Sequence, residues 1–522
     1  MRLNWRVPHA TDLLRDDLSS AGFSVDSLSA LWGVDAAAAL HRGHRLPAQR
    51  SLAALDGGGR LGTLATLFVL GLPVSSERLE TALPRLGLSG AVELGLVALA
   101  DDEVRPLLDL RPYSFVDSLG AGSWWIASDL GEVALGTAIP EGHVLGVGGA
   151  STTLSGLMLQ QRVATVLDLG TGCGIQALHA ARFADHVVAT DISQRALDLA
   201  AFNAQLNGVS SIEFRLGSLF DPVAGEVFDR IVSNPPFVIT PRTESVPAYE
   251  YRDGGLVGDA LVEKVIREAP AHLAPGGVAQ LLGNWEYGVG SDGLGSDGLG
   301  SDGLDRVAEW TTGLDAWVVE RETQDAALYA ETWIRDGGTK PGTPEFESLM
   351  AAWLDDFAAR GVTAVGFGYV TLRGASASAR AGAGTGTPLR RFERLDGALG
   401  RSEGGLGVAI GASLEAHDWL SDADLVAARL TLAPDVTEER HYWPGDEDPT
   451  VIDLRQGGAF GRTQPSGTVL AAVVGACDGE LSIGAICAAI AQLLEVDAGE
   501  LLDEVLPSVR ELVFIGMLTR GS

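Results

Sequence analysis

Cysteine is scarce in this chain. Cys173, Cys477 and Cys487 are the only three in 522 residues. They make no disulfide framework, and no CxxC or Cys/His spacing offers a metal site. A reducing, cytoplasmic setting follows, with no metal expected. Positive charge is also short: 37 Lys and Arg stand against 69 Asp and Glu, a formal net charge of -32. Nucleic-acid affinity rests mainly on Lys and Arg, so a broad phosphate-tracking surface is disfavoured, though a local basic groove is not. Long apolar runs are missing too. Leu61 to Val74, "LGTLATLFVLGLPV", is shorter than the about 20 residues of a membrane span and reads as a buried helix. The start, "MRLNWRVPHATDLLRDD", lacks the apolar region of a signal peptide, and no membrane partner is expected.

What is present suits a folded protein of several domains: 46% of the residues are hydrophobic and 20% charged. Residues 1–115 read as helices followed by a β-ribbon. This is the outline of a winged helix, with a small helical packing domain as the alternative. Residues 116–150, rich in Gly and Trp, read as lead-in strands. From Thr165 to Trp285 strands and helices alternate: "ATVLDLG", "IQALHAARFA", "HVVATD", "SQRALDLAAFNAQLNG", "SIEFRLG", "FDRIVSN", a helix, then "GVAQLLGNW". Such alternation predicts an α/β fold with a doubly wound parallel sheet. Residues 290–304 repeat GSDGL three times and read as a flexible linker-like loop. The sheet is expected to resume with "DAWVVERE" and "AVGFGYVTLR", closing a domain over 116–440. Residues 450–522 give helices and a closing strand, a second winged-helix-like outline. "HYWPGDEDP" (His441 to Pro449) reads as an exposed acidic linker.

Two stretches carry chemistry. In "VLDLGTGCGIQ" a strand runs into Gly170-Thr171-Gly172-Cys173-Gly174 and then a helix. The glycines allow a tight turn and close approach of a ligand. Asp191, at the end of the next strand, is placed to hold ribose hydroxyls, as in sites for NAD and for S-adenosylmethionine. The second stretch is Asn234-Pro235-Pro236-Phe237, where a strand ends at a rigid corner. The Asn234 side-chain carbonyl and the Pro235 peptide carbonyl offer two acceptors to an NH2 group. Binding both hydrogens favours the pyramidal nitrogen and aims its lone pair at a methyl donor. Phe237 can stack on a planar target. His179 reads as a packing or surface residue, and Cys173 as a small loop residue.

Together, "VLDLGTGCG", "ATDIS", "GSLFDP" and "VSNPPF" resemble class I S-adenosylmethionine-dependent N-methyltransferases with an Asn-Pro-Pro-aromatic motif. That family includes release-factor glutamine, adenine-N6 and ribosomal RNA guanine-N2 methyltransferases. The resemblance covers about Thr165 to Trp285, and "YRDGGLVGDALVEKV" is closest in flavour to the glutamine branch. It implies a Rossmann-like, seven-stranded sheet and S-adenosylmethionine as cofactor. Asp168 and Gly170, Thr171, Gly172, Cys173 and Gly174 would hold its methionine part, Asp191 with Ile192 the ribose, and Ser218 and Leu219 the adenine. Asn234, Pro235, Pro236 and Phe237 would hold the target. Where Ser218 stands the family usually has Asp; a hydroxyl can also accept from the adenine amino group. The expected reaction is N-methylation of a macromolecule, with a nucleobase of RNA or DNA ahead of a protein glutamine. A non-catalytic cofactor-binding protein and a Rossmann oxidoreductase are the other readings; the intact NPPF corner speaks against both.

Overall fold

The computed structural model describes residues 8–100, 103–135, 139–243, 246, 252–288, 303–374, 388–402 and 404–520. Its centre is one sheet. The strands are β1 (Val163–Leu169), β2 (Ala184–Asp191), β3 (Ile212–Leu216), β4 (Phe228–Ser233), β5 (Leu273–Gly288), β6 (Asp315–Asp325), β7 (Val362–Arg373) and β8 (Arg390–Arg394). Their order is β8-β6-β7-β5-β4-β1-β2-β3. β1 to β5 run parallel, and β7 lies antiparallel between β5 and β6. The parallel strands read as continuous apolar runs because helices cover both faces.

The sheet has eight strands, where seven were expected. β8 pairs parallel to β6 on the outer edge, and its charges explain its presence. Arg391 makes two 2.8 Å hydrogen bonds to Glu511, and Glu393 receives Arg462 (2.9 and 2.5 Å) and the Trp317 indole (2.7 Å). Phe392, pointing the other way, packs on the sheet's core. The strand thus locks the C-terminal region onto the sheet edge.

Near the N-terminus, helix Gly59–Leu64 continues into a π-turn, Ala65–Val69, buried as the apolar run predicts. It is followed by strand Val74–Ser75, helices Ser76–Ala82 and Gly87–Glu93, and strands Val97–Ala100 and Glu103–Pro106. The first strand pairs with the third, and the third with the second. The C-terminal region repeats this order with one change. Helix Thr468–Gly475, strand Asp478–Ser482, helices Ile483–Leu494 and Ala498–Phe514 and strand Leu518–Arg520 follow one another, but the middle strand is Arg429–Leu432, from upstream. This unit therefore reaches back past residue 450, into the expected 116–440 domain. "HYWPGDEDP" is not a linker: it caps a hairpin of Val436–His441 and Val451–Gln456.

The lead-in differs from the expectation as well. Asp109–Asp117 and Gly120–Ser128 form one hairpin, so residue 115 lies inside a strand rather than at a boundary. "HVLGVGGAS" makes no strand and leads into a helix, Gly149–Leu157. The hairpin docks on the helix after β2, Gln194–Leu206, through amide side chains that imitate a sheet ladder. Asn203 accepts from the Ala127 N–H (2.8 Å) and donates to its carbonyl (2.9 Å), and Asn207 does the same with Trp125 (2.9 and 2.8 Å). One continuous apolar core then runs from the N-terminal helices through the hairpin to Ile175 and Phe202.

The GSDGL repeat lies outside the described residues except for its last two. Gly303 and Leu304 begin helix Gly303–Trp310, and Leu304 is buried in the sheet's core. Of "SASARAGAGTGTP" only Pro388 is described.

Candidate active site

Ligands of open parallel sheets bind beyond the carboxyl ends of the strands, where the strand order reverses. Here that point lies between β1 and β4. The pair is in parallel register, with Asp168 opposite Val232 and Leu169 opposite Ser233. The Ser233 hydroxyl donates to the Leu169 carbonyl at 2.8 Å, tying the two strand ends together. One residue further, β1 enters the glycine loop and β4 enters Asn234-Pro235-Pro236-Phe237. The two motifs, 60 residues apart in sequence, thus begin side by side.

The loop geometry follows from its residues. Gly170, Gly172 and Gly174 all have positive φ (76°, 56° and 87°). A Cβ on Gly174 would stand 2.9 Å from the Ala200 side chain, whereas one on Gly172 would meet nothing within 4 Å. The first is a packing glycine; the second leaves open space over the loop. Asp168 is fully buried on β1 and accepts from the Thr171 hydroxyl at 2.6 Å, while its Oδ1 has no partner. Burial pushes the Asp168 carboxyl up to about 7, against the Thr171 bond that lowers it. Asp191 accepts from the Gly172 N–H (2.9 Å) and the Ser193 N–H (2.8 Å), so the strand end and the loop are joined through this carboxylate. Ile192 beside it is 69% exposed. Leu219 has φ 45°, a strained value for a branched side chain. The backbone turns sharply there, next to Ser218. An unpaired buried acceptor, an open face over Gly172 and a carboxylate at the end of β2 suit a ligand with a cationic part and a ribose, as S-adenosylmethionine has.

At the corner, the Asn234 Oδ1 is buried and without a hydrogen-bond partner among the described residues. A buried polar atom left unpaired costs free energy, about 1–3 kcal/mol, unless something arrives to bond it. Pro235 is buried, and Pro236 and Phe237 are half-buried. Phe237 is not a free platform: its ring makes edge contacts with Trp333 (6.5 Å) and Phe367 (6.0 Å). Trp333 comes from helix Ala326–Asp336, which the sequence reading did not isolate. The same helix supplies Tyr329, whose hydroxyl accepts from the Ile239 N–H (3.0 Å) and the Asn284 amide (2.9 Å). Tyr329 thus ties the corner to β5. The signal for this was Asn284, one of two amides inside the otherwise apolar "AQLLGNW" run, whose partner only the fold reveals.

His179 takes no part in this arrangement, and the Cys173 side chain supplies no nucleophile to it. His179 is buried among Tyr113, Phe115 and Trp124, 3.0 Å from the Tyr113 hydroxyl, and burial lowers its pKa to about 4. Burial pushes the Cys173 thiol up to about 11, which leaves no thiolate nucleophile at neutral pH.

Residues 147–291 match the family model described as Methyltransferase small domain, and residues 20–107 match a domain of unknown function, DUF7059. The chain is 41% identical over 132 residues to a release factor glutamine methyltransferase of Xylella fastidiosa, covering 24% of this chain and 48% of that protein. It is 43% identical over 130 residues to the protein of the same name from Cereibacter sphaeroides (23% and 46%). It is 38% identical over 125 residues to a ribosomal protein uL3 glutamine methyltransferase of Bradyrhizobium diazoefficiens (22% and 39%). The chain spans about half the length of the first of these curated relatives. With the strand order and the glycine loop, this makes residues 147–291 part of a class I methyltransferase domain. Over this segment the chain resembles S-adenosylmethionine-dependent N-methyltransferases.

Proposed function

We propose that this protein transfers a methyl group from S-adenosylmethionine to the side-chain amide nitrogen of a glutamine in a protein. The observation that carries the reading is the buried, unpartnered Asn234 Oδ1 at the end of β4. The names of the relatives matched over the methyltransferase segment support glutamine over a nucleobase as the target. The net charge of -32 also disfavours a polyanionic partner.

In this reading the cofactor supplies an electrophilic methyl group on a sulfonium. Asn234 Oδ1 and the Pro235 carbonyl accept the two hydrogens of the glutamine NH2. That contact draws the lone pair out of amide conjugation and turns it toward the methyl group. Phe237, braced by Trp333 and Phe367, covers the planar amide. With the cofactor bound, its methyl group would pass to the nitrogen so held, leaving the sulfur as a neutral thioether, and the extra proton would then pass to water, so no strong base is required. Asp168 and the glycine loop hold the methionine part, Asp191 the ribose, and Ser218 and Leu219 flank the adenine. The terminal units, including the two winged-helix-like ones, select the substrate.

The test is tritiated methyl transfer from labelled cofactor to purified release factor, purified uL3 and total RNA. Label is expected in protein, sensitive to protease, and on glutamine after hydrolysis. Label confined to RNase-sensitive material would replace the glutamine reading with the nucleobase one.

Two cofactor-site outcomes follow. Asp191→Ala should weaken S-adenosylmethionine binding by about 1–3 kcal/mol in calorimetry, through lost charge-assisted hydrogen bonds. The second concerns pH. Asp168 has a raised folded-state pKa, so its contribution to stability is present below its ordinary value of 3.8 and lost as pH rises through about 7. A cationic ligand prefers the ionised form. Affinity should therefore rise severalfold between about pH 6 and about pH 7.5 in the parent, and less in Asp168→Asn.

A further inference from the structure

"RDGG" (Arg252 to Gly255) belongs to none of the roles above, yet it lies against the target corner. Phe237 and Asp253 form an antiparallel bridge, and the Val238 N–H donates to the Arg252 carbonyl at 2.9 Å. Directly paired residues of an antiparallel ribbon project to the same side, so the Asp253 carboxylate stands beside the Phe237 ring. Gly254 lets this contact form: a Cβ there would stand 3.0 Å from the Pro236 carbonyl and 2.3 Å from the Leu261 side chain.

The Asp253 side chain is 2% exposed. Its two oxygens are treated differently. Oδ1 pairs with the Arg242 guanidinium and accepts from the Gly255 N–H at 3.1 Å. Arg242 is itself fixed by a 2.7 Å hydrogen bond to the Leu256 carbonyl. Oδ2 is buried and has no hydrogen-bond partner among the described residues. A carboxylate oxygen held out of water with no donor is costly, and here it is clamped in place by its twin.

We propose that Asp253 is a substrate-binding residue whose Oδ2 accepts a main-chain N–H of the target segment next to the methylated glutamine. This rests on the glutamine reading. Both hydrogens of the reacting NH2 are already taken by Asn234 and Pro235. The nearest remaining donors on an extended polypeptide are its backbone N–H groups. Asp253 would therefore distinguish a glutamine within a chain from the free amino acid or a simple amide.

Asp253→Asn is the suited variant. Arg242 and the Gly255 N–H are both donors, so they keep the amide oxygen at the Oδ1 place and put NH2 where Oδ2 was. A donor then faces a donor. The KM for the protein substrate should rise about tenfold or more, as loss of a hydrogen bond to a charged group does, while kcat stays within about twofold. The S-adenosylmethionine Kd and Tm should stay near parental values, which a merely structural role for Asp253 would not permit. A second measurement does not depend on the variant folding. Peptides spanning the methylated glutamine, each with one main-chain nitrogen N-methylated, are assayed with the parent enzyme. One of them should show the same rise in KM. If the parent methylates glutamine but neither Asp253→Asn nor any N-methylated peptide raises KM, the role of Asp253 is refuted alone. If the parent methylates no glutamine, the reading beneath it falls as well.

Discussion

Asn234→Ala is expected to lower kcat/KM by about 100-fold or more, because it removes a preorganised acceptor at the reacting nitrogen. Cofactor affinity should change by less than about threefold, since Asp168, the glycine loop and Asp191 lie on other strands. The folded state should not suffer. The Asn234 Oδ1 bonds none of the described residues, so its loss forfeits no intramolecular partner there. Initial methyl-transfer rates on the substrate found by the labelling assay, with calorimetry for the cofactor, separate the two effects. Parental kcat/KM in Asn234→Ala would remove the proposed chemistry from the corner. Phe237→Ala is a less clean probe than its place in the motif implies. Its ring also supports Trp333 and Phe367, so stability and KM would both move.

The largest loss of stability is expected far from the reaction, at Glu320 on β6. This carboxylate is buried (its side chain is 2% exposed) and has five donor contacts. They come from the Trp285 indole at 2.5 Å, the Tyr287 hydroxyl at 2.8 and 2.7 Å, the Thr323 hydroxyl at 3.1 Å and the Arg394 guanidinium at 3.0 Å. Trp285 and Tyr287 are fully buried. Gly366 and Gly368 are needed beside them, because a Cβ at either would stand within 3 Å of the Trp285 ring or its neighbours. Glu320→Ala leaves a buried indole N–H and a buried phenol without their carboxylate acceptor and takes the ion-pair partner from Arg394, which keeps its 3.1 Å contact to the Tyr287 hydroxyl. It should cost about 3–5 kcal/mol, as breaking a buried charge network does. Urea unfolding of the parent and variant measures it. A change under about 1 kcal/mol would mean that water takes over the acceptor role.

The central sheet was legible because its signals are local. Continuous apolar strands recur from Thr165 to Trp285, the helix after β2 is bounded by its N-cap Ser193 and by Gly208, and the strands fall where those signals put them. The cofactor loop was legible for the same reason: Asp168 to Gly174 is one contiguous turn. Less could be read where partners are distant. β8 reads as an ordinary charged stretch, since Arg391 and Glu393 find Glu511 and Arg462 only in three dimensions. The middle strand of the C-terminal unit, Arg429–Leu432, precedes one partner by about 50 residues and the other by about 90, and carries no mark of belonging to them. "HYWPGDEDP" has the composition of a linker, and a hairpin tip has the same composition because both face water.

By itself, then, the sequence determined which residue types stand at the strand ends. An acid, a run of glycines and a rigid Asn-Pro-Pro corner follow from backbone constraints that act within a few residues of each other. Only the tertiary structure decided which polar atoms remain unpaired. Asn234, Asp168 and Asp253 are each drawn with the same letters as many satisfied residues in the chain. Whether a buried polar atom meets a partner depends on segments far apart in sequence: the Tyr329 hydroxyl accepts from the Asn284 amide and the Ile239 N–H, Arg242 serves one oxygen of Asp253, and no described residue serves the other.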